Sequence, residues 1–354
     1  MLPVPGGTTN ILNPREEVRH LQTIRDGLFF IVGPQRSGTT LLQAMLSSHS
    51  GITIPPETEF FDQVWPRRTA LGPLTDAVNL ERVGRYVTGP NCSVGDLGLD
   101  WPAVTATLAR TPGGYDDLFT AILSLHAHSR GKRRAGEKSP RHLFAAKDLV
   151  QLFPRSKFLC LVRDPRAVAR SELETSWGSR SVGRITARWC RALDALQALE
   201  RIWTAERLQV VKYETLVADP EGTLRSVCEF LEEPFETAML QFHQRPDAER
   251  GFLADEVWKE NTLRAVDASR SQQWQTELTV AQITLIERRA GARLMQRGYL
   301  PWGQPAGLFD VLWTGIGDNF RWACELVTGL LKGRKRRRPW RSVWRDAFLG
   351  APRN

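Results

Sequence analysis

The sequence predicts an α/β fold of three layers, in which a central parallel sheet is flanked by helices and followed by an amphipathic, basic helical tail. Three apolar runs of strand length predict the sheet, at residues 28–32, 158–162 and 208–213. Each run leads into residues that begin a helix, the order typical of parallel strands joined by helical crossovers. Helices are predicted to begin at Ser139-Pro140, with Lys138 at the start, at about residue 165 after Asp164, and at Asp219-Pro220, and one more is predicted over 279–297. A chain of 354 residues can hold one large domain with short appendages.

The loop after the first run is the most informative segment. Residues 33–40 read GPQRSGTT, with the G-x-x-x-x-G spacing of a phosphate-binding loop, but Thr39 stands where a nucleotide triphosphatase has Lys. The cation lies inside the loop instead, as Arg36. The backbone and hydroxyl groups that could hold a phosphate at the start of the next helix belong to Ser37, Gly38, Thr39 and Thr40. The fold is therefore predicted to be P-loop-like, without the usual Lys–Mg²⁺ arrangement.

A second loop carries a matching signal. The run at 158–162 ends in Arg163-Asp164-Pro165-Arg166, and Ser171 follows eight residues after Arg163. A guanidinium suits a two-bond grip on phosphate oxygens. The two loops together resemble the 5′-phosphosulfate and 3′-phosphate motifs of the sulfotransferases that use 3′-phosphoadenosine 5′-phosphosulfate (PAPS). The resemblance implies that Arg36 holds the 5′ side of the donor and that Arg163 and Ser171 hold its 3′-phosphate.

Two further segments support the resemblance. Residues 210–231 are similar to the family's later strand, loop and helix, which implies that Tyr213 touches the donor. Residues 269–274 resemble the segment before a Trp that closes over the nucleotide, here Trp274, and Arg264 stands where the family has a phosphate-binding Lys. We predict a lead-in (1–26), a sulfotransferase domain (27–303) and a tail (304–354).

Candidate catalytic residues follow from a resemblance to the tyrosylprotein-type branch of the family. That branch has a Glu 21 residues after the loop Arg, followed by Thr, and Glu57 and Thr58 match it. Lys138, in Glu-Lys-Ser-Pro, resembles the branch's Lys near the leaving oxygen. The resemblance implies Glu57 as general base, assisted by Lys138 and Arg36. The other main branch uses His, which leaves three candidates for the base: His49, His126 and His142.

The implied reaction is in-line, metal-independent transfer of the sulfuryl group from PAPS to a hydroxyl or amine. Two alternatives stay open: a P-loop-type small-molecule kinase, and a non-catalytic, nucleotide-binding, membrane-associated scaffold. Thr39 and the lack of an apolar strand ending in an Mg²⁺-binding Asp argue against the kinase. The acceptor could be a sugar, a lipid-linked sugar, a peptide tyrosine or a small alcohol or phenol.

Composition narrows the class of protein. The formal net charge is +9, which fits an anionic co-substrate, and the five scattered cysteines lack metal-site spacing. We therefore expect free thiols and no metal. No apolar run approaches the roughly 18 residues of a membrane-spanning helix. The first residues lack a signal-peptide pattern, so we expect a cytoplasmic protein.

The tail has a different composition from the rest of the chain. Large apolar residues recur over 307–331, and the basic segment 333–345, GRKRRRPWRSVWR, follows. One interpretation is a helix that docks on the core and ends in a solvated basic segment. The other is peripheral contact of residues 307–345 with an anionic membrane surface. A basic run alone is a poor signal for nucleic acid, and we expect none to bind.

Overall fold

A parallel five-stranded sheet forms the centre of the computed structural model, which describes residues 13–244, 262, 264–304 and 306–334. The strand order is β2-β3-β1-β4-β5. The strands are β1 (Phe29–Val32), β2 (Ile52–Thr53), β3 (Arg134–Lys138), β4 (Lys157–Val162) and β5 (Leu208–Lys212). Every pairing is parallel, so all the carboxyl ends lie at one edge of the sheet. The predicted α/β fold is confirmed.

Sixteen α-helices in the described ranges surround the sheet. They are α1 (Pro14–Asp26), α2 (Thr39–Ser47), α3 (Phe60–Gln63), α4 (Arg68–Leu71), α5 (Ala77–Val87), α6 (Trp101–Leu108), α7 (Tyr115–His128), α8 (Ala146–Leu152), α9 (Pro165–Leu173), α10 (Val182–Glu200), α11 (Tyr213–Ala218), α12 (Pro220–Leu231), α13 (Trp274–Glu277), α14 (Val280–Ala290), α15 (Ala292–Gln296) and α16 (Leu308–Arg334). Short 3₁₀ segments lie at Trp65–Arg67, Ser93–Leu97, Pro140–Ala145, Thr237–Gln244 and Ala268–Ser271. None of these helices is long and apolar enough to cross a membrane.

Alternate residues of the central strands enter two different cores. Phe30 and Phe158 join the larger cluster on one face, while Phe29 and Leu159 join the cluster formed with α2 and α12 on the other. Both faces are covered, as parallel sheets require, so the central strands are apolar throughout rather than alternating. The result is a rigid sheet edge from which the loops after β1, β3, β4 and β5 project.

Strand β3 escapes sequence prediction because it is polar. Its residues are Arg-Ala-Gly-Glu-Lys, and both Glu137 and Lys138 are fully buried at its end. Gly136 is needed there because a Cβ would lie 2.3 Å from the Phe29 ring of the neighbouring strand. The short helix predicted after Ser139-Pro140 is a 3₁₀ segment, and the Ser139 side chain does not cap it.

Most predicted helices are present, with corrected ends. The helices expected after Asp164 and Asp219 begin at Pro165 and Pro220, each capped by its Asp. The helix predicted over 279–297 is interrupted at Gly291, which separates α14 from α15. The expectation of a polar lead-in misses α1, whose Leu21 and Ile24 are buried. Residues 1–12 lie outside the described part.

Helix α16 attaches to the core through polar side chains. The Asp318 carboxylate accepts hydrogen bonds from Ser181 Oγ and Val182 N at 2.7 Å and from Gly183 N at 2.9 Å. Asp318 thus satisfies the free N–H groups at the start of α10 from another helix. Two turns further on, Glu325 accepts a hydrogen bond from the Arg180 backbone. The predicted docking on the core therefore describes part of the tail; residues 335–354, with most of the basic segment, lie outside the described part.

We predict that Asp318→Ala lowers the free energy of unfolding by roughly 2–3 kcal/mol, because three buried donors lose a charged acceptor. Urea unfolding of the full chain measures this. Asn319→Ala is the matched control, since Asn319 is exposed on the same helix and should change stability by less than about 0.5 kcal/mol. Equal effects of the two substitutions would contradict the capping role.

Candidate active site

A cavity of about 630 Å³ lies at the carboxyl ends of the strands. It brings together most of the predicted site residues, namely Arg36, Gly38, Thr39, Thr40, Glu57, Arg163, Ser171, Tyr213 and Arg264. The other two, Ser37 and Lys138, are fully buried beside this lining. The predicted residues that line this cavity come from five separate segments of the chain.

The loop after β1 is fixed by two left-handed residues and one aromatic ring. Arg36 has φ 66° and Gly38 has φ 92°. A Cβ on Gly38 would lie 2.4 Å from the Tyr213 ring, so only glycine lets that ring close against the loop. Left-handed residues in such a loop turn successive N–H groups toward one point, an arrangement that suits an anion at the start of α2.

Arg36 and Arg163 contact each other beside this loop. Arg163 is 6% exposed, stacks 4.1 Å from the Tyr213 ring centre, and donates to the Arg36 carbonyl at 3.3 Å and the Arg270 carbonyl at 3.2 Å. Arg36 Nε donates to Ser171 Oγ at 3.2 Å. The residues assigned to the two ends of the donor are thus in direct contact.

The electrostatics of this pair favour a bound anion. Burial, and then the charge of Arg163, lower the pKa of Arg36 to about 10, and burial also lowers the pKa of Arg163. Among the residues that the structure describes, the buried Arg163 Nε and Ser37 Oγ have no hydrogen-bond partner. Unsatisfied buried donors are rare in proteins and call for a ligand or solvent. The donor set fits the phosphate groups of a nucleotide.

Glu57 and Lys138 form an ion pair at the same edge of the sheet. Lys138 is the last residue of β3 and is fully buried, and its Nζ contacts Glu57 Oε1. Glu57 lies on the loop after β2 and lines the cavity. Lys138 therefore ends a strand rather than beginning a helix. An adjacent ammonium favours the ionised carboxylate, the form that a general base needs.

Behind the ion pair lies a buried polar network that sequence reasoning missed. Glu137 Oε1 accepts from Thr58 Oγ1 at 2.9 Å and from Ser139 Oγ at 2.6 Å, and Glu137 Oε2 lies 2.8 Å from His142 Nδ1. His142 Nε2 accepts from the Phe61 backbone at 3.2 Å. Burial lowers the pKa of His142, but the Glu137 carboxylate outweighs burial and raises it. The loop that carries Glu57 is thereby bound to β3.

Two opposing effects set the ionisation of Glu137. Burial raises its pKa, but His142, Ser139 and Thr58 outweigh burial and hold the pKa of Glu137 below its ordinary value. The carboxylate is therefore ionised near neutral pH. It holds the loop only in that form, because a protonated carboxyl would place a proton against one of its three donors.

The sequence also missed residues elsewhere in the cavity. Ser93 Oγ donates to Glu59 Oε2 at 2.9 Å, and the Ser93 backbone donates to Gln63 Oε1 at 2.8 Å. Other such lining residues are Arg170, Glu174 and Trp177. The position of Arg170, just before Ser171 on the predicted helix, could have revealed it. Nothing in the sequence connects Ser93 with Gln63.

Three predicted alternatives for the base do not reach the cavity. Among its described lining residues there is no histidine. His49 lies between the Pro234 carbonyl, 3.0 Å from Nε2, and the Gly51 backbone N–H, 2.9 Å from Nδ1. His142 belongs to the Glu137 network, and burial lowers the pKa of His126 to about 3.

The expected aromatic lid is also absent from the described lining. Trp274 is buried, lies 4.0 Å from the Arg166 guanidinium and contacts Trp302. The segment before it does reach the site, because Arg270 and Gln273 line the cavity. Within residues 13–244, 262, 264–304 and 306–334, no three His, Cys, Asp or Glu residues are grouped so that they could hold a metal ion.

Comparison with known proteins identifies the family. The model of the sulfotransferase family matches residues 29–237, more than half of the chain. Protein-tyrosine sulfotransferase of Drosophila melanogaster is 25% identical over 255 residues, which cover 70% of this chain and 46% of that protein. Nodulation protein NoeE of Sinorhizobium fredii is 28% identical over 315 residues, covering 79% and 68%. The chain thus spans less than half the length of the fly protein.

Solved structures support the fold. The sulfotransferase domain of the Synechococcus olefin synthase has a TM-score of 0.51 and 23% identity, covering 75% of this chain and 94% of that domain. The sulfotransferase domain of the curacin biosynthetic pathway has a TM-score of 0.52 and 24% identity, covering 77% and 97%. At this level of identity, the likeness concerns the architecture.

We predict that Glu137→Gln destabilises the protein at pH 7 by roughly 3 kcal/mol, because the amide would face the His142 N–H with a second N–H. The pKa of Glu137 is lowered on folding. Its contribution is therefore complete above the unfolded pKa of about 4.3 and is lost as pH falls through the folded pKa. Urea unfolding between pH 7 and pH 3 should show a smaller acid loss in Glu137→Gln than in wild type. Glu81→Gln, at an exposed ion pair, is the matched control and should keep the wild-type profile.

Proposed function

The chain belongs to the sulfotransferase family, and on this premise we propose that it transfers a sulfuryl group from PAPS to a hydroxyl or amine. One observation carries the proposal. The cavity that is lined by two cationic side chains, Arg36 and Arg163, is also lined by Glu57, which contacts Lys138. Anion binding and proton transfer can thus occur at the same place.

The donor would be held from both of its phosphate ends. The loop N–H groups of Gly38 and Thr39, with Arg36 and the neighbouring hydroxyls, would hold the 5′ side. Arg163 and Ser171 would hold the 3′-phosphate, with Arg163 Nε supplying a donor that lacks a partner among the described residues. Tyr213 lies against both the loop and Arg163, so it would fix their spacing.

Each catalytic side chain would have a separate task. PAPS, when bound, supplies an activated sulfuryl group on a phosphate leaving group. Glu57 would take the proton of the acceptor hydroxyl or amine. The Lys138 and Arg36 cations would stabilise negative charge at the leaving oxygen, where a low-dielectric site makes such charges most effective. Lys138 is fully buried, so its own charge is shielded from bulk water.

The kinase alternative has weaker support. Thr39 follows the loop glycine where a P-loop kinase has its Lys. Strand β4 ends in Val162, and the next residue is the phosphate-binding candidate Arg163, ahead of Asp164. Asp164 is engaged with Arg166, its Oδ2 lying 2.6 Å from Arg166 Nη2, and it accepts the backbone N–H of the same residue. This carboxylate stabilises α9 rather than presenting itself to a metal.

We predict that adenosine 3′,5′-bisphosphate, the product nucleotide, raises the melting temperature without Mg²⁺. Arg36→Ala and Arg163→Ala should each weaken its binding by roughly 1.5–3 kcal/mol, about ten- to a hundred-fold, through loss of charge-assisted hydrogen bonds. Calorimetry measures the affinity. Arg155→Ala is the control, because Arg155 is exposed and pairs only loosely with Asp26 at 3.2 Å. Stabilisation by ATP with Mg²⁺ but not by the bisphosphate would favour a kinase instead.

We predict that Glu57→Gln lowers turnover on the order of 100-fold while the affinity for adenosine 3′,5′-bisphosphate stays nearly unchanged, since Gln keeps the shape but cannot take a proton. The assay uses the first acceptor from a panel of sugars, phenols, alcohols and tyrosine peptides that gains SO₃ by mass spectrometry. Glu229→Gln, on the exposed side of α12, is the control. If Glu59→Gln abolishes turnover and Glu57→Gln does not, the base is Glu59.

A further inference from the structure

Helix α16 presents a row of large apolar side chains to solvent. Leu308, Leu312, Ile316 and Phe320 recur every four residues and are 69%, 57%, 62% and 70% exposed. Phe309 follows Leu308 and is 76% exposed, and Trp313 follows Leu312 and is 69% exposed. Their rings stack with 6.4 Å between the ring centres. Spacing of three and four places all six on one side of the helix, which we call the outer face.

The opposite face of the same helix is the one bound to the core. Val311 is buried, Asp318 caps α10, and Trp322 lies 4.5 Å from the Arg289 guanidinium of α14. The amphipathicity of α16 is therefore inverted relative to an ordinary docked helix, because an acidic side chain enters the core and six large apolar ones face water.

Such an arrangement needs a partner surface. Single exposed apolar residues are common, but a contiguous row of six on one helix marks an interaction site. The sequence that follows the outer face identifies the chemistry. Residues 332–345, which begin twelve residues after Phe320, contain eight Lys or Arg, two Trp and no acidic residue. Apolar side chains beside a dense positive charge match an anionic lipid surface.

We propose that the outer face of α16 lies in the headgroup region of a membrane, and that the positive charge of the sequence over 332–345 makes anionic lipid the preferred surface. The helix stays docked on the core through Asp318 and does not span the bilayer. This proposal does not rest on the sulfotransferase activity, because the outer-face residues are separate from the cavity lining. A second copy of the chain would cover the apolar row but would gain nothing from eight like charges beside it.

The outer face can be tested without disturbing the contacts that attach α16 to the core. Truncation before α16 would remove Asp318 and so destabilise α10, whereas substitutions on the outer face leave every core contact of the helix in place. The test variant is Phe309→Ser/Trp313→Ser/Phe320→Ser in the full chain. The matched control is Val78→Ser/Ile202→Ser/Met295→Ser, three apolar residues of 65%, 61% and 60% exposure elsewhere on the surface.

Co-sedimentation with lipid vesicles measures how much of the protein is bound to the vesicles and how much stays in solution. Wild type should bind phosphatidylcholine–phosphatidylglycerol vesicles, bind phosphatidylcholine vesicles far less, and be released in part as salt rises. The outer-face variant should bind the anionic vesicles about 100-fold more weakly, given the apolar area removed. The control should bind like wild type. Lys335→Gln/Arg336→Gln/Arg337→Gln/Arg338→Gln should lose the preference for anionic lipid.

Several results would overturn the proposal. One is vesicle binding by the outer-face variant equal to that of wild type. Another is a wild-type dimer, seen by light scattering, that the variant converts to a monomer while neither binds vesicles, since the occupant would then be a second copy. A third is an outer-face variant that no longer folds, as judged by its melting curve, because the face would then belong to the core. Oligonucleotide binding that displaces wild type from vesicles and is unchanged in the outer-face variant would assign the basic segment to nucleic acid.

Discussion

A carboxylate with no exposure to water, Glu137, connects the sheet to the loop that carries Glu57. It lies next to Lys138 at the end of β3, accepts hydrogen bonds from Thr58 and Ser139, and lies 2.8 Å from His142. Burial of an ionised carboxylate without partners would cost several kcal/mol, so these partners are required and they bind the loop to β3. The same attachment holds Glu57 against Lys138. A rigid strand, rather than a mobile loop, thereby sets the geometry of the proposed base.

The other part of the site contains two cationic side chains, Arg36 and Arg163, whose charges repel each other. Arg163 donates to the Arg36 carbonyl and stacks on the Tyr213 ring, and Arg36 donates to Ser171. Such a pair is unfavourable without an anion, and a phosphate would relieve the repulsion. Anion binding would therefore reduce an unfavourable charge interaction between the two arginines. This differs from a Walker-type site, where the Lys and a metal ion share the charge.

The sequence predicted the parts of the fold that follow from apolar runs and helix caps. The strands β1, β4 and β5 were predicted because they lie in apolar runs. The helices α9 and α12 were predicted because Asp164 and Asp219 cap them. β3 could not be found, because its burial depends on ion partners that lie about eighty residues away in the chain. The same reason explains which residues of the site could be predicted from the sequence. Arg36, Glu57 and Arg163 sit in local patterns, whereas the Glu137 network and the Ser93–Gln63 contact exist only once the chain is folded.

Helix α10 links the tail to the cavity at the sheet edge. Its first N–H groups bind Asp318 of α16, and Trp189, two turns further on, donates its indole N–H to the Arg163 carbonyl at 3.0 Å. The backbone of Arg163, the proposed ligand of the 3′-phosphate, is therefore supported by a helix whose start depends on the tail. A rigid helix transmits position along its axis, so the orientation of the cavity relative to α16 is fixed. If the outer face of α16 rests on lipid, the cavity has a fixed orientation relative to the lipid surface as well, and the membrane would restrict the direction from which an acceptor can approach.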